Sequence, residues 1–270
     1  MRAVLRAAAL ALCGIGLLAW PLRPALAVDD ITVHVILPIT GPEAFLGKQG
    51  KTALDIAQKL VNARSGAPVQ IVYHDDQSKP EVVVQMLSQF AADHVNVILG
   101  PMGGGACRSL APLLANGPID YCFSPTMHAT PGSFVFMTGI DTYDLDRALL
   151  KYAHQRGWKR IGLITSTDAT GNDAVYAFDG MMKEAPNKDL SLVEQANFNP
   201  ADISVTAQLA RIKAAQPDVL FAWTTGLGMG TILRAVSQVG LNVPVVTSWG
   251  NMTYAQMKSW AGVMPHDVYF

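Results

Sequence analysis

The sequence predicts an α/β protein made of two Rossmann-like lobes. Three observations carry this expectation. The apolar runs are short and continuous, as in parallel strands buried on both faces, and do not alternate as half-exposed strands do. They alternate strictly with stretches of helical spacing. The same grammar restarts midway along the 270 residues, a length that strains a single core.

The first half is read in order. Residues 31–37 form a strand, 38–47 a loop, and 48–63 a helix with Ala53, Leu54, Ala57, Leu60 and Val61 on one face. A strand follows at 69–73. A helix over 80–93 has Pro80 in its first turn and Ser78 as its cap. Strand 95–99, helix 104–115, strand 119–122 and strand 134–137 complete the lobe. The second half repeats the pattern with helix 143–155, strand 160–164, helix 173–183 and strand 190–195. Asp202 is read as the cap of a helix over 203–215, followed by strand 218–222, helix 228–239 and strand 243–246. The expected division is a leader over 1–27, an N-terminal lobe over 28–139 and an incomplete C-terminal lobe over 140–270. The last residues, Val268-Tyr269-Phe270, read as the start of another element, as in a fragment.

The leader reads as an address. Arg2 and Arg6 precede an uncharged apolar run over 7–20, and Ala25-Leu26-Ala27 supplies the small-x-small cleavage pattern. The run falls short of the ~20 residues a membrane span needs, and Pro21 and Pro24 end it. Cys13 is preceded by Leu12, which argues against a lipidated cysteine. The expectation is export to the periplasm with cleavage after Ala27. Cleavage removes Arg2, Arg6 and Arg23 but no acidic residue, so the remainder is mildly acidic.

Composition narrows the function classes. Half of the residues are hydrophobic, and the formal net charge is -1, which excludes a disordered chain. No basic excess marks a nucleic-acid binder. Three cysteines are too few for a disulfide scaffold. Cys107 and Cys122 either pair or remain as two buried thiols; sequence does not supply the Cα distance.

Chemistry in such sheets belongs beyond the carboxyl ends of the strands. Gly100-Pro101-Met102-Gly103-Gly104-Gly105 follows a strand and opens a helix. Its spacing fits neither the dinucleotide fingerprint nor the P-loop. A small carboxylate or other polar ligand suits its exposed backbone, the alternative being a tight turn without a ligand. Ser124-Pro125-Thr126-Met127-His128 follows the next strand. His128 offers a hydrogen bond or ion pair to an anion, or it is a solvent-facing loop histidine. Asp75-Asp76 reads more simply as a solvated strand end than as a cation site. The other histidines lack metal-ligand spacing, and no nucleophile elbow is present. The expectation is therefore no catalytic residue, no metal and no cofactor. In the second half the strand ends are Thr165 to Gly171, Trp223-Thr224-Thr225-Gly226 and Thr247-Ser248-Trp249-Gly250. Tryptophan at two strand ends suggests ligand contact, with core filling as the alternative.

These words, in order, resemble the type I periplasmic solute-binding proteins of ABC importers, in the branched-chain amino-acid (leucine/isoleucine/valine) subfamily. The residues that carry the resemblance are Leu37-Pro38-Ile39-Thr40-Gly41-Pro42, Asp75-Asp76-Gln77, Ile98-Leu99-Gly100-Pro101, Ser124-Pro125 and the Asp-x-x-Gly step Asp168 to Gly171. The resemblance implies two lobes joined by a hinge and closing on a small ligand, with a C-terminal part of about 100 residues missing here. It implies a non-enzymatic carrier, a monomer, that delivers to an ABC permease in the inner membrane. A periplasmic ligand sensor for a signalling partner is the alternative role.

The resemblance also implies the site. Phe45 and Leu46 stand where the family offers an aromatic residue before a glycine. Met102, Gly103, Gly104, Thr126, Met127 and His128 stand where it grips a ligand carboxylate. Thr170, Thr224, Thr225, Trp249 and Gly250 are the expected contacts of the second lobe. Two departures matter. Thr170 replaces the tyrosine that holds an amino-acid backbone, and the carboxylate that neutralises an α-ammonium falls near Trp249. An ammonium buried without a counter-charge is costly. The expected ligand therefore has a carboxylate and an apolar body, an aromatic acid first, with an amino acid as the alternative.

Overall fold

A computed structural model of the chain describes residues 31–64, 68–265 and 267–270. The leader and its cleavage after Ala27 lie outside the described residues. Two five-stranded sheets, each wholly parallel, organise the rest. The first is built from β1 (Ile31–Leu37), α1 (Ala44–Asn62), β2 (Val69–Asp75), α2 (Pro80–Ala92), β3 (Val97–Leu99), α3 (Gly104–Leu110), β4 (Ile119–Cys122) and β5 (Val135–Met137). Its strand order is β2-β1-β3-β4-β5. The second follows with α4 (Thr142–Arg156), β6 (Arg160–Ser166), α5 (Ala169–Met181), β7 (Ser191–Phe198), α6 (Thr206–Ala214), β8 (Val219–Trp223), α7 (Leu227–Val239), β9 (Val245–Thr247), α8 (Tyr254–Trp260) and β10 (Val268–Tyr269). Its order is β10-β9-β8-β6-β7. Among the described residues no helix is long and apolar enough to cross a membrane.

The second sheet is covered on both faces. Ile164, Leu220 and Ala222 pack under α6 and α7, while Leu163, Phe221 and Val246 pack under α4 and α5. That is why β6 and β8 read as unbroken apolar runs. Coverage of the first sheet is uneven, contrary to the expectation of helices over both faces. Ile36, Ile98 and Cys122 face α2 and α3 in one cluster. On the opposite face α1 lies over β1 and β2, while Tyr121 and Phe136 on β4 and β5 stack on each other and stay exposed.

Several helix starts differ from the sequence reading. α1 begins at Ala44, inside the expected loop, and α5 begins at Ala169. Asp168 is the cap of α5; one of its oxygens accepts from the Thr170 and Gly171 amides. Ser78 does not cap α2, because Lys79 holds that position; its hydroxyl accepts from the Glu43 amide instead. Asp202 does not cap α6, which starts three residues beyond the expected point; its carboxylate accepts from the Asn199 amide in a preceding turn. Asp76 is not a solvated strand end. It is 1% exposed, and its Oδ1 accepts from the Ser78 amide.

Cys107 of α3 is joined to Cys122 of β4, with Cα atoms 6.0 Å apart. Closing a loop of this size stabilises by about 3 kcal/mol in the chain-entropy account. The bridge also fixes the start of α3 to the end of β4, so two strand-end loops are held together.

One core position titrates. Asp120 of β4 is fully buried on the α2–α3 side, and neither carboxyl oxygen has a partner. Burial pushes its carboxyl up from 3.8 to about 8. The unfolded chain therefore releases this proton first as pH rises, and stability falls between about pH 4 and pH 8. Asp120→Asn removes that slope. It should raise the melting temperature by several degrees at pH 8 and by much less at pH 5, read by circular dichroism.

Candidate functional site

Because every strand in both sheets runs parallel, the loops that leave the strand carboxyl ends collect on one side of each sheet. The two sheets turn these sides toward each other across a cleft. One cavity in it, about 570 Å³ including its mouth, is lined from the first lobe by Glu43, Leu46, Met102, Gly103, Gly104 and residues 123–126. From the second lobe come Thr170, Trp223, Thr225, Ser248, Trp249 and Gly250.

Most of the residues singled out in the sequence meet there: Leu46, Met102, Gly103, Gly104, Thr126, Thr170, Thr225, Trp249 and Gly250. Four lie elsewhere. Phe45 turns past the cavity toward Gly226 of the other lobe; a Cβ placed on that glycine would stand 3.0 Å from the Phe45 ring. Met127 is buried in the first-lobe core with Ile98 and Cys122. Thr224 is buried in the second lobe, where its carbonyl accepts from Asn251 Nδ2 at 2.7 Å. His128 is an exposed loop histidine that also reaches across the lobes. Its Nε2 lies 2.9 Å from Asp173 Oδ1 on α5, and its ring meets Tyr143 edge-on.

The structure adds Glu43, Phe123, Ser124, Pro125, Trp223 and Ser248 to the lining. The walls are apolar and largely aromatic, formed by Leu46, Met102, Phe123, Trp223 and Trp249. Apart from Glu43, the polar side chains are small and neutral. Ser124 and Thr126 share a hydrogen bond at 3.0 Å, so one hydroxyl proton of the pair is committed and the other is left to donate. Ser248 Oγ accepts from the Gly250 amide, which holds the loop under Trp249. Gly104 must lack a side chain, since a Cβ there would collide with Thr126 Oγ1.

Among the described residues no lysine, arginine or histidine lines this cavity or the one adjoining it. The adjoining cavity, about 610 Å³ with its mouth, shares Glu43, Gly103, Gly104 and Thr170 with the first and adds Asp76 and Asp168. One flank of the cleft is therefore acidic. Burial, and then the charges of Asp76 and Asp168, push the Glu43 carboxyl up to about 7. Burial also pushes Asp76 up to about 6, against the opposing bond from the Ser78 amide. Among the described residues no group of His, Cys, Asp and Glu is arranged to hold a metal ion.

The lobes are tied beside the cleft. Asp173 Oδ1 accepts from Arg108 Nη2 at 2.8 Å and faces His128 Nε2 at 2.9 Å. Asp173 is 4% exposed and its second oxygen is buried without a partner. Behind it Asp146 is fully buried and unpartnered; burial, and then the Asp173 charge, raise its carboxyl well above the ordinary range. Arg108 and His128 are each about two-fifths exposed, so solvent screens the pair and its worth is modest. A double-mutant cycle of Arg108→Met and Asp173→Asn in urea unfolding should give a coupling of about 1 kcal/mol, and zero coupling would remove Arg108 from the tie.

A family profile described as periplasmic binding protein matches residues 30–264. A curated relative, the Leu/Ile/Val-binding protein homolog 3 of Brucella melitensis, is 25% identical over 244 residues, covering 87% of this chain and 64% of the relative. The chain thus spans just under two thirds of that relative's length. A periplasmic binding protein type 1 from Bordetella pertussis superposes with a TM-score of 0.76 at 22% identity, covering 87% of this chain and 66% of that one. An ABC-transporter solute-binding protein of Rhodopseudomonas palustris, solved in complex with 4-hydroxybenzoate, gives a TM-score of 0.74 at 22% identity, covering 86% and 65%. At these identities the two structures establish the fold.

Proposed function

The chain belongs to the periplasmic binding protein family, and on that premise we propose that it captures a small carboxylate-bearing ligand, an aromatic acid first, and delivers it to the permease of an ABC importer. The observation that carries this reading is the make-up of the cleft. Two tryptophans, a phenylalanine, a methionine and a leucine line a space together with serine and threonine residues of both lobes. A flat apolar body is stabilised by aromatic walls through burial and stacking. A carboxylate is held by convergent neutral donors: the Ser124–Thr126 pair, Thr170, Thr225 and Ser248. The 4-hydroxybenzoate complex of the R. palustris protein, with the same fold, supports this ligand class. Capture proceeds by closure: the ligand docks on one lobe, and contacts from the other favour the closed arrangement. The leader pattern over 1–27 supports a periplasmic location.

A second reading keeps an amino acid as ligand. Glu43 favours it, because a carboxylate in the cleft is what an α-ammonium needs, and the curated relative's name points the same way.

Calorimetry of the chain with 4-hydroxybenzoate, benzoate and leucine at pH 6 separates the two. The aromatic acids are expected to bind at least tenfold more tightly, and the reverse order would replace the first reading by the second. Trp249→Ala should weaken 4-hydroxybenzoate about tenfold, since the ring loses one of its aromatic walls.

A further inference from the structure

We propose that Glu43 makes capture of an organic acid proton-coupled: the cleft holds the anion only when the Glu43 carboxyl carries a proton, which it donates to the ligand carboxylate. This rests on the carboxylate reading of the cleft.

The geometry that leads here is the position of Glu43. It sits at the N-cap of α1 and turns its side chain over the glycine loop. A Cβ built on Gly103 would lie 2.6 Å from Glu43 Oε2, so the carboxyl rests directly on that loop's backbone. Glu43 lines both cavities, and although its amide donates to Ser78 Oγ, its carboxyl makes no hydrogen bond or ion pair among the described residues. The charged groups that face it are Asp76, from the loop between β2 and α2, and Asp168, from the loop between β6 and α5. The glycine loop, the 123–126 loop and the loops after β8 and β9 bring no titratable side chain to the lining. A ligand carboxylate entering here meets carboxylates and no cation. Two carboxylates in one dry site do not both stay ionised; they share a proton. Glu43 is poised for this, because its carboxyl already titrates at about 7, against 4.5 ordinarily.

The proton comes from water, and no bond other than the hydrogen bond is made. Free Glu43 is mostly protonated at pH 6 and mostly ionised at pH 8, so the sign follows directly. Affinity for an acid is constant below about pH 7 and falls roughly tenfold per pH unit above it. A ligand ammonium would show the opposite trend, gaining affinity as Glu43 ionises.

The test is calorimetry of the full chain with 4-hydroxybenzoate at pH 6 and pH 8, in buffers of differing ionisation enthalpy. Uptake of about one proton at pH 8 and almost none at pH 6 is expected. Glu43→Gln, with its melting curve checked, should abolish the uptake and bind the acid about tenfold more tightly than the parent at pH 8. Tight binding of 4-hydroxybenzoate without proton uptake or pH dependence would overturn the role of Glu43 and leave the ligand reading intact. Selective binding of leucine, stronger at pH 8 than at pH 6, would overturn both. Because uptake is read on the parent protein, a variant that fails to fold does not spare the proposal.

Discussion

Strand direction governs this molecule. Parallel strands place every strand-to-helix loop at the same edge of a sheet, and two such sheets with their loop edges opposed enclose a cleft. Helices return the chain to the far edge and add only their first turns, with Leu46, Gly104 and Thr170, to the cleft. The lining can then combine residues as distant as Glu43 and Trp249. The bridge between Cys107 and Cys122 sharpens one part of it. It ties the helix that follows the glycine loop to the strand that precedes Ser124, so the two loops are held side by side.

Charge is distributed with equal economy. The cleft is apolar at its tryptophans, neutral at its hydroxyls and acidic at the flank formed by Glu43, Asp76 and Asp168. Carboxyls recur where burial opposes ionisation: Asp120 within the first lobe and Asp146 behind the tie between lobes are both unpartnered. Each shifts upward because desolvation favours its neutral form. A protein of slight net charge thus holds several of its acidic groups in a state that pH alters.

Much of the fold is legible in the sequence, because buried parallel strands are apolar throughout and their period needs no partner to be seen. Helix starts are less so. Gly47 and Gly171 fall in the first turns of α1 and α5 and read as loop, although Asp168 was a cap signal that marks the second. The loops that line the cleft are legible as segments, but not which side chains within them turn inward. Thr126 lines the cavity while its neighbours Met127 and His128 serve the core and the other lobe. Glu43 is a lone acid in an otherwise uncharged loop, the one signal that could have drawn attention to it. The bond from His128 to Asp173 spans 45 positions and has no local trace.

That bond and its companion also bear on how the lobes sit. Arg108 of α3 and His128 of the loop after β4 both meet a single oxygen of the second lobe. At about 1 kcal/mol such a shared contact biases the two lobes toward the arrangement seen here by roughly fivefold, whatever occupies the cleft.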